Sequence, residues 1–312
     1  MTSCSIIIRG YNEEKHIGRL LEGIQRQTVQ DVETILVDSG SSDATVETAE
    51  RLGAKIVHIL PDEFTFGRSL NTGIAATSRG LIVIASAHVY PVYPDWLERL
   101  LEPFNDTQVA LAYGKQRAPA SSKFSEQQIF HQWYPEQSQP RQDHPFCNNA
   151  NAAIRRSLWE QQPFDENLTG LEDLAWAKWA MSQGYVIAYA AEAEIIHFHN
   201  ETLLAVFNRY RREAMAFKQL YPEAHFNLYD FVRLTTSNVL SDFWHALRYG
   251  VFWQSAAGVL GFRWMQFWGT YMGYRQSGPL TRQLRQTFYY PLGMDVSSQS
   301  KPRKVEPIRY NQ

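Results

Sequence analysis

Cysteine is nearly absent. Only Cys4 and Cys147 occur in 312 residues, far apart and without metal-ligand spacing. They allow no disulfide framework, and they fit a reducing compartment. Net charge is slight as well, −2 from 30 Lys and Arg against 32 Asp and Glu. No basic surface is implied, so nucleic acid is not an expected partner. No Gly-x-Gly-x-x-Gly follows the first apolar run, and no Gly-x-x-x-x-Gly-Lys-Ser/Thr occurs. Those absences argue against a dinucleotide dehydrogenase and a P-loop ATPase. The N-terminus enters a strand-like run directly, so no signal peptide and a cytoplasmic location are expected.

What is present alternates strand with helix. Ser5 to Arg9 is a short apolar run of the kind that forms a buried strand. Asn12 is suited to cap the next helix, whose apolar positions are Ile17, Leu20, Leu21 and Ile24. Val32 to Val37 predicts a second strand. Asp43 predicts the cap of a helix from Ala44 to Leu52, and Ala54 to Ile59 a third strand. A helix from Gly67 to Thr77 then leads to a fourth strand, Leu81 to Ala85. This order implies βαβ units, an α/β class and a mostly parallel sheet. Ligands bind such sheets at the carboxyl ends of the strands. Those ends carry Gly10-Tyr11-Asn12, Asp38-Ser39-Gly40 and Ser86-Ala87-His88. An aromatic ring beside an acid suits a nucleotide base, the ring stacking and the carboxylate accepting a base N–H. Equally, Tyr11 can close the edge of the core and Asp38 can cap a turn.

Further along, Gly170-Leu171-Glu172-Asp173-Leu174-Ala175-Trp176 puts two adjacent acids at a predicted helix start. Acids there commonly only offset the helix dipole. A transferase built on a nucleotide-binding α/β domain also needs a general base downstream, and this pair is the candidate.

Together, Ile6-Ile-Ile-Arg-Gly-Tyr-Asn-Glu-Glu14, Ile35-Leu-Val-Asp-Ser-Gly-Ser-Ser-Asp-Ala-Thr45 and Gly170-Leu-Glu-Asp173 resemble the family 2 glycosyltransferases with a GT-A fold, over residues 3 to 200. Phe64-Thr-Phe-Gly-Arg-Ser-Leu-Asn71 and His144-Pro-Phe-Cys-Asn-Asn-Ala-Asn151 are similar to a bacterial subgroup described as rhamnosyltransferase-like. The resemblance implies that Tyr11 and Asp38 hold the base and that Arg68 sits near base and phosphates. It makes Asp173 the catalytic base, with Glu172 orienting the acceptor or the base. It implies a nucleoside-diphosphate sugar donor, a saccharide or lipid-linked acceptor, and a divalent metal, Mn or Mg.

The family usually shows Asp-x-Asp where this chain has Ser86-Ala87-His88. Ser86 can still bond a ribose hydroxyl, and His88 can ligate a metal through a neutral imidazole nitrogen. His197 and His199 fall on one face of a strand-like run and are the other candidate ligands, or else structural histidines. The run Arg209-Tyr210-Arg211-Arg212 can offset diphosphate charge without a metal, or form a solvated face. The amides of Asn148, Asn149 and Asn151 both donate and accept, which suits sugar or acceptor hydroxyls, and equally suits turns. Trp133 and Trp159 offer stacking faces or core.

The last third changes character. Val251 to Tyr271 is long and aromatic but holds Gln254, Arg263 and Gln266, so it is a poor span. Its Trp and Tyr favour a membrane interface, where Arg263 can snorkel, and a helical cap or an oligomer contact are the alternatives. The expected organisation is a nucleotide-sugar half over 1–115 and an acceptor-binding and catalytic half over 116–205. A helical extension over 206–312 completes it, with peripheral contact at the inner face of the cell membrane. The expected activity is inverting glycosyl transfer in bacterial polysaccharide or glycoconjugate assembly. A sugar nucleotidyltransferase and a non-catalytic nucleotide-sugar-binding protein are the rivals.

Overall fold

The structure, a computed structural model, describes residues 3–119, 121–198, 201–276 and Ile308. The first half forms as the hydrophobic pattern predicts: β1 (Cys4–Gly10), α1 (Ile17–Gln25), β2 (Val32–Asp38), α2 (Thr45–Arg51), β3 (Lys55–His58), α3 (Phe66–Ala75) and β4 (Leu81–Ser86). After it come β5 (Val89–Pro91), α4 (Trp96–Leu101), β6 (Val109–Arg117), α5 (Phe124–Trp133), β7 (Gln139–Gln142), β8 (Asn151–Arg155), α6 (Arg156–Trp159), α7 (Glu172–Ser182) and β9 (Val186–His197). Three long helices close the chain: α8 (Leu203–Leu220), α9 (Leu228–Arg248) and α10 (Phe252–Arg275).

One sheet runs in the order β3-β2-β1-β4-β8-β6-β9-β5, with β7 paired to β9. β1, β2, β3 and β4 are parallel, and β8 enters antiparallel between β4 and β6, so the sheet continues unbroken from the first half into the second. Ile6, Ile7 and Ile8 of β1 are fully buried because helices cover both faces. Burying such side chains stabilises the fold by about 1.5–3 kcal/mol each.

Two local expectations are corrected. Asn12 does not cap α1, whose N-cap is His16. Asn12 instead sits at φ +54°, accepts from the Ser42 backbone N–H at 2.8 Å and donates its own N–H to Ser41 Oγ at 2.9 Å. A short polar side chain tolerates that left-handed geometry, and here it ties the loop after β1 to the loop after β2. Arg263 does not snorkel. It is buried between α9 and α10, donating from Nε and Nη2 to Asp242 Oδ2 and Oδ1 at 2.8 and 2.9 Å.

α10 packs against α8 through two glycines. A Cβ at Gly269 would lie 2.4 Å from Phe207 O, and one at Gly273 2.5 Å from Arg211 O, so only glycine permits this approach.

Candidate active site

A cleft of about 470 Å³ opens over the carboxyl ends of β1 and β4 and is closed on the far side by α5 and α8. Residues singled out from the sequence meet in its wall, among them Tyr11, Ser86, His88, Asn148, Asn149, Glu172, Asp173 and His197. They come from positions as far apart as β1, the end of β4, the turn before β8, the start of α7 and the end of β9.

The acid pair sits at the first turn of α7. Leu171, just before it, is held at φ +58°, an uncommon conformation for a branched side chain, and this turns the chain so that both acids enter the cleft. Asp173 Oδ1 accepts from the Leu174 N–H at 2.8 Å, and Oδ2 from the Asn149 N–H at 3.1 Å. Glu172 Oε1 accepts from Arg9 Nη1 at 3.0 Å and from Asn149 Nδ2 at 3.3 Å. Burial, and then the neighbouring Glu172 carboxylate, push the Asp173 carboxyl up to about 7, against the pull of its two backbone N–H donors and Arg9. Asp173 is therefore poised where a general base works best. Asn149 Oδ1 is buried with no hydrogen-bond partner among the described residues. A buried amide oxygen rarely stays unpaired, and a ligand hydroxyl would satisfy it.

Sequence reasoning passed over much of the cationic wall. The Phe66 ring is contacted by two guanidiniums, Arg9 at 4.8 Å and Arg212 at 4.7 Å from its centroid. Arg209 pairs with Glu126 at 2.8 Å and Glu201 at 3.0 Å. Burial raises the Glu201 and Glu213 carboxyls, and Arg209 and Arg212 pull the other way. The basic run from Arg209 to Arg212 was the signal for part of this wall. Arg9 carried one only as the residue before Gly10.

Other predicted residues lie elsewhere. Arg68 pairs with Glu63 at 3.0 Å and does not line the cleft. Asp38 is buried beside the cleft. Its carboxylate accepts from the Gly40 and Ser41 N–H groups at 3.0 and 3.2 Å, so it organises its own turn while Ser39 faces the cavity. Asn151 is fully buried within the sheet, donating to Lys115 O and Ala193 O and accepting from Trp96 Nε1. Trp133 borders the cleft, whereas Trp159 packs on the core and donates to Asn71 Oδ1 at 2.9 Å. His199 lies outside the described residues.

The donor set for a metal is thin. His88 Nδ1 is bonded to Glu13 Oε1 at 2.6 Å. Burial works to lower the His88 pKa, but the Glu13 carboxylate outweighs it and the imidazole is raised. His197 stacks on His88 with centroids 5.1 Å apart, and its Nδ1 is bonded to Gln116 Oε1 at 2.7 Å. Among the described residues no group of three or more His, Cys, Asp and Glu side chains could hold a metal ion. Mn²⁺ and Mg²⁺ favour clustered oxygen donors, so these residues do not fit a resident ion of either kind.

The sequence profile described as glycosyl transferase family 2 matches residues 5–161. The chain belongs to that family. It is similar to the O-antigen chain rhamnosyltransferase WbaN of Salmonella anatum, 30% identical over 222 residues that make up 67% of this chain and 70% of that one. It is also similar to RfbN of Salmonella typhimurium, 29% identical over 66% of this chain and 69% of that protein. Among solved structures, the mannosyltransferase PcManGT from Pyrobaculum calidifontis, in complex with GDP-Man and Mn²⁺, superposes with a TM-score of 0.58. It is 16% identical and covers 92% of this chain and 87% of its own. S. aureus TarS 1-349 in complex with UDP gives 0.51 at 16% identity, over 72% of this chain and 67% of its own. These likenesses establish the GT-A type fold, and membership of the family makes this glycosyltransferase an enzyme of the transferase class.

Proposed function

We propose that this glycosyltransferase moves a sugar from a nucleoside-diphosphate donor to an acceptor hydroxyl with inversion at the anomeric carbon. The observation that carries the proposal is Asp173, fixed by two backbone N–H groups in the cleft and raised to about 7. Asp173 takes the acceptor hydroxyl proton as that oxygen forms its bond to the anomeric carbon. The bond from that carbon to the diphosphate breaks on the opposite face, and the diphosphate leaves with the electron pair. Arg9, Arg209 and Arg212 line the cleft and offset the charge that builds on it. Glu172, held by Arg9 and Asn149, keeps Asp173 oriented and basic. Tyr11 stacks on the base, Ser86 bonds the ribose, and Asn148 and Asn149 meet sugar hydroxyls, the buried Asn149 Oδ1 accepting one of them. The O-antigen relatives support a saccharide acceptor in bacterial polysaccharide assembly.

The test is the anomeric configuration of the product, read by proton NMR from a donor of known configuration. Inversion is expected, and retention would remove Asp173 from the role of base for a direct displacement. A pH profile checks the base itself. A carboxyl raised to about 7 holds its proton to higher pH than ordinary carboxylates do. Turnover is therefore expected to be low in acid and to rise as pH passes through about 7. A profile that stays flat down to about pH 5, near the ordinary carboxylate range, would count against it.

A further inference from the structure

The α9–α10 hairpin buries a polar cluster beside Phe231, Val239, Val259 and Phe262 and exposes large apolar side chains. Facing inward are Asp242, Arg263 and Gln266, all buried, with Arg263 bonded to both of the others. Facing outward are Trp244, Leu247, Trp253, Leu260 and Trp264, each more than half exposed and Trp253 at 90%. Of the 14 exposed large hydrophobic side chains among the described residues, 12 lie between Leu203 and Trp264. Exposed single apolar residues are ordinary in water, but a concentration of them on one pair of helices marks an interaction surface.

From the end of α9 through α10 the charge is of one sign. No Asp or Glu occurs from residue 243 to residue 276, while Arg248 and Arg275 are exposed. The Arg248 guanidinium rests over the Trp244 ring, 4.7 Å from its centroid. A tryptophan with a cation beside it suits the boundary between lipid chains and anionic headgroups.

We infer that the outward face of the α9–α10 hairpin, with tryptophans and leucines outside and the Asp242–Arg263–Gln266 cluster inside, lies on the surface of a bilayer that contains anionic lipid. No helix among the described residues is long and apolar enough to cross a membrane, so the contact lies in the interface plane. A second copy fits less well. A two-fold contact sets one patch against itself, and here cation would meet cation without a carboxylate between them. The inference is independent of the transfer chemistry, and its test uses no activity.

The test is co-sedimentation of the full chain with phosphatidylglycerol–phosphatidylcholine vesicles, against phosphatidylcholine alone. Binding is expected to the anionic vesicles and to weaken with salt. A Trp244→Ser/Trp253→Ser double variant is expected to lose roughly tenfold or more in vesicle affinity, since each indole removed is an interface anchor. Both side chains are exposed, so unchanged circular dichroism and melting are expected. Failure to sediment with anionic vesicles overturns the inference, as does sedimentation that the double variant leaves intact. In the first case, a dimer by light scattering that the double variant converts to monomer reassigns the face to a second copy.

Discussion

Asp173→Asn is expected to leave donor binding nearly intact and to cut turnover by a factor on the order of 10² to 10⁴. The side chains are nearly the same size, and the amide oxygen can keep one of the two N–H bonds, from Leu174 or from Asn149, while its NH2 group replaces the other acceptor oxygen. What it cannot do is take a proton. Removing the charge beside Glu172 also relieves the repulsion that helps raise Asp173, which offsets part of the cost of the lost N–H acceptor. Single-turnover measurement with saturating donor, paired with calorimetry of the nucleoside diphosphate, separates the two quantities. Near-normal turnover in the variant would sink Asp173 as the base. A parallel loss of donor affinity would mean that the acid shapes the cleft and does not act in the step.

The second large effect concerns stability. Asp242→Ala leaves the Arg263 guanidinium buried, always charged and held only by Gln266 Oε1 at 2.9 Å. Breaking one side of such a pair costs about 3–5 kcal/mol, because the remaining charge keeps its desolvation and loses its partner. Against a total stability of about 5–15 kcal/mol, that is a large share. A clear drop in the urea midpoint is the expected measurement. The double variant Asp242→Leu/Arg263→Met removes both charges at similar volume and should recover most of the loss. A loss below about 1 kcal/mol in the single variant would show that water reaches Arg263, as at an exposed pair.

The residues that sequence reasoning located best are those whose role is set by neighbours in the chain. Ile6 to Ile8 alternate around a sheet buried on both faces, and Glu172 and Asp173 follow a loop into a helix, so both were legible. Asn151 was not. In the run Asn148-Asn149-Ala150-Asn151 all three amides look alike, but β8 begins at Asn151 and carries its side chain into the sheet, to Ala193 O and Trp96 Nε1. Asp38 had two local readings, and the choice between them rested on the direction of one turn. The contact of Phe66 with Arg9 and Arg212 had no local signal at all, since it joins β1, α3 and α8. Nor did the polarity of the hairpin. Apolar residues are spread all round α10, so periodicity names no face, and the inner side is revealed by the contacts of Arg263 with Asp242 and of Gly269 and Gly273 with α8.

The glycine seam at Gly269 and Gly273 has a consequence for how this protein can diversify. The 18 residues of α8 press Phe207 and Arg211 against α10 on one side and present Arg209 and Arg212 to the cleft on the other. Neither side can drift alone. A lineage that acquired a new donor by reshaping the cleft through α8 would have to keep the backbone approach to α10. One that altered the hairpin would carry the cleft's arginines with it, so donor choice and the character of the outer helices are inherited as a linked pair of traits.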